Sequence, residues 1–254
     1  MNTFLWGMLP YACVTLLVGG TIWRYKYDQF GWTTRSSQLY ESKLLKIASP
    51  LFHFGLIMAI AGHFMGLVIP KRWTDAIGFH QHQYHLLALG GGLVAAAMII
   101  VGLFMLILRR RTTGEVFNAT TVNDKVMYIF LTGAVLLGTA ATLFGTRGAG
   151  GTEHNYRETV SIWFRSLFTF QPDVQAMAAA TPVFKAHVII ALLLFAIWPF
   201  TRLVHAFSAP LKYLFRPYIV YRTRDGVPTP SSQGSGSRRG WDPIGTLDRN
   251  QRPR

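Results

Sequence analysis

Five stretches of the chain run with few or no charges for roughly the 20 residues that a helix needs to cross a bilayer. They cover residues 1–23, 47–70, 85–108, 126–144 and 183–207. The first lacks a basic leading segment and a small-residue cleavage site, so it reads as an anchor rather than a removable leader. The fifth keeps Lys185 and Arg202 near its ends, where long side chains reach the interface, and its Pro199 predicts a kink. Between the fourth and fifth, V-S-I-W-F-R-S-L-F-T-F at 160–170 mixes aromatics with few charges and predicts an interfacial helix. From Asp225 the chain is rich in Gly, Ser, Pro and Arg, a composition that predicts disorder. The predicted organisation is an all-α, five-helix membrane bundle over 1–224 followed by a disordered basic tail over 225–254.

Composition agrees. Charged residues make up 14% of the 254 positions and half are apolar, against about 25% charged in an ordinary soluble domain. A chain this apolar is not a disordered one. The net charge of +14 would point to nucleic acid if it formed a soluble patch, but here the charges lie between the apolar runs, so they read as membrane topology and no nucleic-acid partner is expected. The segments 24–46, 109–125 and 208–254 hold eighteen Lys and Arg; the alternate segments 70–84 and 146–182 hold five. This asymmetry predicts an N-terminus outside and a C-terminus in the cytoplasm. The single cysteine, Cys13, excludes an internal disulfide and any Cys-rich zinc or iron–sulfur centre.

Four of the eight histidines fall inside spans: His53 and His63 on the second, His187 and His205 on the fifth. Ionisable residues in a membrane are costly and tend to mark function. The two spans run antiparallel, so His53 and His205 share the inner depth and His63 and His187 the outer. On ideal helices His53 and His63 are about 15 Å apart in rise, and His187 and His205 about 27 Å. Eighteen residues make five turns and put His187 and His205 on one face, whereas His53 and His63 are offset by roughly 80°. Tilt or a kink must absorb this mismatch. Two stacked imidazole pairs suit two bis-histidine haems, and Gly62 and Gly55 leave room for a macrocycle. Without C-x-x-C-H the haems would be b-type. Zinc, copper or a proton relay are the other uses such pairs allow.

Larger fragments extend the pattern: W-R-Y-K-Y-D-Q-F-G-W at 23–32, R-S-S-Q at 35–38, A-S-P-L-F-H at 48–53, G-H-F-M-G at 62–66, and P-F-T-R-L-V-H at 199–205. Over most of 10–224 the chain resembles the gamma subunit of respiratory nitrate reductases. That resemblance implies a multi-pass cytochrome b of the bacterial cytoplasmic membrane with two haem b groups. His53 and His205 would ligate the inner iron, His63 and His187 the outer. Menaquinol or ubiquinol would be oxidised near the outer haem, and electrons would pass to an iron–sulfur beta subunit and a molybdenum alpha subunit that reduces nitrate.

A quinol sheds protons as well as electrons, so its site needs a proton acceptor beside the first redox centre. The run H-Q-H-Q-Y-H offers His82, with His80 and His85 as alternatives; the same run also reads as a polar outer loop. Haem carboxylates favour Arg partners. Arg35, Ser36 and Arg202 are candidates on the inner side, and the resemblance supports the Arg35–Ser36 segment most. The triplet Arg109 to Arg111 lies at a similar depth and reads mainly as topology. Rival functions are a dihaem subunit of a sulfite-reductase-associated or heterodisulfide-reductase-type complex, a transporter or proton channel using membrane histidines, and a structural anchor.

Overall fold

The computed structural model describes residues 1–28, 40–145 and 155–208. Arg35, Ser36, Arg147, His154 and the whole tail 225–254 lie outside the described residues. Among those described, the structure is all helical. Five helices are long and apolar enough to cross a membrane: α1 (Thr3–Tyr27), α2 (Lys43–Val68), α4 (Gln81–Thr112), α6 (Val122–Phe144) and α9 (Pro182–Phe200). Short helices join them: α3 (Lys71–Ala76) and α5 (Gly114–Asn118) between spans, α7 (Val160–Leu167) and α8 (Val174–Ala178) before α9. Where a backbone is surrounded by lipid, each N–H and C=O must be satisfied within the protein, and the helix does this within one segment.

Most spans run longer than their apolar cores because polar caps extend them. Glu41 accepts the Leu44 amide through its carboxylate at 2.7 Å and so opens α2 well before Ile47. Thr121 and Asp124 cap the start of α6 reciprocally, Asp124 N–H to Thr121 Oγ1 at 3.2 Å and Thr121 N–H to Asp124 Oδ2 at 3.0 Å. α4 carries its arginine triplet inside its last turn, where cations offset the helix dipole.

The fifth span departs from expectation. Rather than a kinked helix running to Phe207, the regular α-helix covers Pro182–Ile197, a 3-10 turn covers Trp198–Phe200, Thr201 is extended, and a second 3-10 segment covers Arg202–Ser208. Pro199 has no N–H to donate and its ring crowds the carbonyl one turn earlier, so the ladder stops there. The orphaned carbonyls are taken up by neighbours. Arg24 of α1 donates to Pro199 O at 2.7 Å and Thr201 O at 3.4 Å, and Asn123 of α6 donates to Phe200 O at 2.5 Å.

The bundle packs chiefly as α2 on α4, α6 on α9 and α1 on α9. Its core joins Phe52, Ile99, Leu103, Met127, Leu131 and Leu194. Phe54, Ile57, Ile60, Phe104 and Ile129 point outward uncovered, as lipid-facing side chains do. A second cluster sits at the end that carries the N-terminus, where Trp163 of α7 donates from Nε1 to Trp6 O at 2.7 Å and meets the Trp6 ring edge-on.

Candidate functional site

The four membrane histidines meet as two pairs. The His63 and His187 ring centroids are 6.1 Å apart with planes at 38°; those of His53 and His205 are 6.2 Å apart with planes at 71°. Depth alone pairs them this way. The expected helical register of His187 and His205 does not hold, because no continuous helix joins them. The break at Pro199–Thr201 absorbs the mismatch between ten residues on α2 and eighteen on the fifth span.

Backbone carbonyls aim three of the four rings. His53 Nδ1 lies 2.7 Å from Ser49 O, His63 Nδ1 2.7 Å from Ala59 O, and His205 Nδ1 2.6 Å from Arg202 O. A carbonyl only accepts, so in each ring Nδ1 carries a proton, and in the neutral imidazole the lone pair then sits on Nε2. The fourth, His187, has a buried Nδ1 with no hydrogen-bond partner among the described residues.

These pairs fit haem iron. A metal bonded at about 2 Å to one nitrogen of each ring holds the centroids roughly 6 Å apart. Two imidazoles are too few for a bare zinc ion, which takes about four ligands, and among the described residues no group of three or more His, Cys, Asp or Glu could hold a metal ion. A porphyrin supplies four nitrogens of its own, so two imidazoles from the protein would suffice to hold its iron. Beside His63, Gly62 opens onto space, with nothing within 4 Å of where a Cβ would sit. Gly55 does not serve the same end. It lies in the α2–α4 seam, where a Cβ would stand 2.8 Å from Met98 Cβ and 3.0 Å from Ala95 O.

The other candidates are dispersed. Arg202 places its guanidinium on Asp124, Nε to Oδ1 and Nη2 to Oδ2 both at 2.8 Å. Arg109 pairs with Glu41 at 2.5 Å, Arg110 donates to Tyr128 and Thr120, and Arg111 lies over the Phe117 ring; the triplet thus ties down one end of the bundle. His80, His82 and His85 stand at the first turn of α4, His80 and His82 exposed and His85 half-buried. Between them Tyr84 turns inward to a cluster that the sequence did not reveal. Its hydroxyl meets that of Tyr156 at 2.5 Å, and Arg157 stacks on its ring at 4.1 Å. Arg157 also donates to Thr74 Oγ1 at 3.0 Å and Ile69 O at 3.3 Å. Ser161 and Arg165 donate to Gly66 O and Leu67 O, closing the end of α2 above His63. Burial, with the neighbouring Tyr84 hydroxyl, holds the Tyr156 phenol above its ordinary range and so protonated.

Comparison with known proteins supplies a family. The family model for the nitrate reductase gamma subunit matches residues 2–224. A nitrate reductase gamma chain of Bacillus subtilis (strain 168) is 43% identical over 220 residues, 87% of this chain and 97% of its own. The respiratory nitrate reductase 2 gamma chain of Escherichia coli (strain K12) is 31% identical over 225 residues, 88% and 98% of the two chains. Nitrate reductase-like protein NarX of Mycobacterium tuberculosis (strain ATCC 25618 / H37Rv) is 54% identical over 241 residues, 95% of this chain and 36% of its own length. This chain thus spans about a third of that mycobacterial relative. Fold and site define a multi-pass helical membrane protein with two facing imidazole pairs between α2 and the fifth span. The chain belongs to the nitrate reductase gamma subunit family.

Proposed function

We propose that this chain is the quinol-oxidising cytochrome b subunit of a respiratory nitrate reductase in the bacterial cytoplasmic membrane. The observation that carries the proposal is the pair of imidazole couples at 6.1 and 6.2 Å, most of whose Nδ1 atoms are already engaged by carbonyls. The excess of basic residues, eighteen against five, supports an outer N-terminus and a cytoplasmic C-terminus. His63 and His187 then hold the outer haem, and His53 and His205 the inner one. When bound, the haems supply one-electron carriage between menaquinol or ubiquinol and iron–sulfur and molybdenum subunits on the cytoplasmic side, where nitrate is reduced.

The protein's own part is to fix the rings and to handle protons. The carbonyls of Ser49, Ala59 and Arg202 engage Nδ1 of their histidines, so iron would be taken at Nε2. At the outer end, His80 and His82 are exposed and His85 is half-buried; the proton acceptor for quinol is proposed to be His82, with its neighbours as alternatives. Gly62 leaves the space beside the outer pair that a macrocycle needs. Arg35 and Ser36 are proposed for the inner haem's surroundings on the resemblance, and Arg202 through its hold on His205.

The test is His63→Ala in the assembled complex. The outer haem and quinol-driven nitrate reduction are lost, while nitrate reduction driven by an artificial dye at the partner subunits persists. Retention of quinol-driven turnover would overturn the assignment.

A further inference from the structure

We infer that Asp124 is a positioning residue for the inner haem: through its ion pair with Arg202 it fixes the carbonyl that orients His205. The inference rests on the haem reading above. His53 and His63 take their orienting carbonyls from one turn back on a continuous helix, Ser49 and Ala59 respectively. His205 takes its carbonyl from Arg202, three residues back, within the 3-10 segment that follows the extended Thr201. No α-helical ladder sets where that carbonyl points. Side chains from other helices do so instead.

Arg24 and Asn123 hold the carbonyls of residues 199–201, and Asp124 grips Arg202 itself through two parallel bonds of 2.8 Å. Two-pronged pairing fixes direction as well as distance. Both side chains are largely buried, Asp124 at 3% exposure and Arg202 at 13%. Asp124 is anchored in turn by its reciprocal cap with Thr121. The path from the start of α6 to the imidazole is therefore unbroken: Thr121, Asp124, the Arg202 guanidinium, the Arg202 carbonyl, His205 Nδ1. The pair also balances its own charge beside the inner site.

The test is a redox titration of the assembled complex in its membrane, following each haem by its low-spin electron paramagnetic resonance signal. Asp124→Asn keeps the size and the cap but leaves the Arg202 cation unpaired. The inner haem's signal should shift and its midpoint potential rise, because an unpaired cation favours the electron-rich form. Arg202→Gln should shift the same signal and lower the potential. The outer haem should move in neither variant. Selective loss of the inner haem from Asp124→Asn would also support the role. If Asp124→Asn carries neither haem, Arg202→Lys decides: it keeps the charge without the fork, and a shifted inner signal supports the role while an unmoved one overturns it. An inner signal and potential unchanged in both Asp124→Asn and Arg202→Gln, in a complex whose unmodified form holds two b haems, overturns the positioning role alone. An unmodified complex without two b haems overturns the haem reading with it.

Discussion

Gly138 of α6 lies against the imidazole of His187: a Cβ at this glycine would stand 2.9 Å from Cε1 and 3.3 Å from Nδ1. The ring is thus positioned by the absence of a side chain. Its buried Nδ1 has no hydrogen-bond partner among the described residues, so steric fit matters more here than at the other three histidines. Gly138→Ala is expected to push the ring off its partner His63, at an overpacking cost of about 1–3 kcal/mol. A haem assay should show the content falling by half, with the outer signal missing and the inner one kept.

The α2–α4 seam gives a contrasting prediction. A Cβ at Gly102 would meet Phe52 N at 2.7 Å and Phe52 Cα at 2.9 Å. Backbone cannot swing aside as a side chain can, so Gly102→Val must force the two helices apart. Because α2 carries both His53 and His63, both haem signals and the thermal stability should fall together. Gly62→Ala should behave otherwise. It meets nothing within 4 Å, and alanine in a helix is favoured over glycine by about 1 kcal/mol. The protein stripped of haem should keep or gain thermal stability, while the haem-loaded form shows an altered outer-haem spectrum.

How far the sequence foretold this arrangement depends on the range of the interaction concerned. The five spans follow from uncharged run length, and the histidine pairing follows from direction and depth, both of which are written locally. The end of the fifth span is not. Pro199 announces an interruption, but whether the chain bends or stops there depends on Arg24 and Asn123, which lie on other helices. Asp124 reads in sequence as an ordinary acidic helix start; its partner Arg202 is 78 residues away. In the sequence Arg157 is only one of five basic residues on the sparse side, and no local pattern distinguishes a buried arginine from a solvated one. Its partners Thr74 and Tyr84 come from segments that meet it only in the folded bundle.

That buried arginine supports a stability prediction. Arg157 is 2% exposed and joins Thr74, the Ile69 carbonyl and the Tyr84 ring. Arg157→Met keeps the bulk and removes the donors, leaving a helix-end carbonyl and a hydroxyl without them. Hydrogen bonds to charged groups contribute about 1.5–3 kcal/mol, so the loss should be of that order and visible as a lower midpoint in thermal unfolding in detergent. Tyr156→Phe removes the shared hydroxyl bond with Tyr84 and should cost less, about 0.5–1.5 kcal/mol. If the two variants melt alike, the arginine contributes nothing beyond its packing.

At the opposite end, Glu41 predicts an acid sensitivity. Burial pushes its carboxyl pKa up, but the Leu44 amide and the Arg109 guanidinium outweigh this, so the net value lies below the ordinary 4.5. A carboxyl whose folded value is depressed adds stability that is present above its unfolded value and lost as pH falls through the folded one. The contact at stake joins the start of α2 to the end of α4 through Arg109, which is 3% exposed. Lowering the pH from neutral to below 4 should therefore loosen this end of the bundle, and amide exchange at Leu44 and the residues after it should quicken first. In Glu41→Gln that exchange should already be faster at neutral pH. The steep acid dependence should also be flattened, because the titrating group is gone while the amide oxygen still accepts from Leu44. Identical pH profiles for the two proteins would show that the pair with Arg109 does not hold this end together.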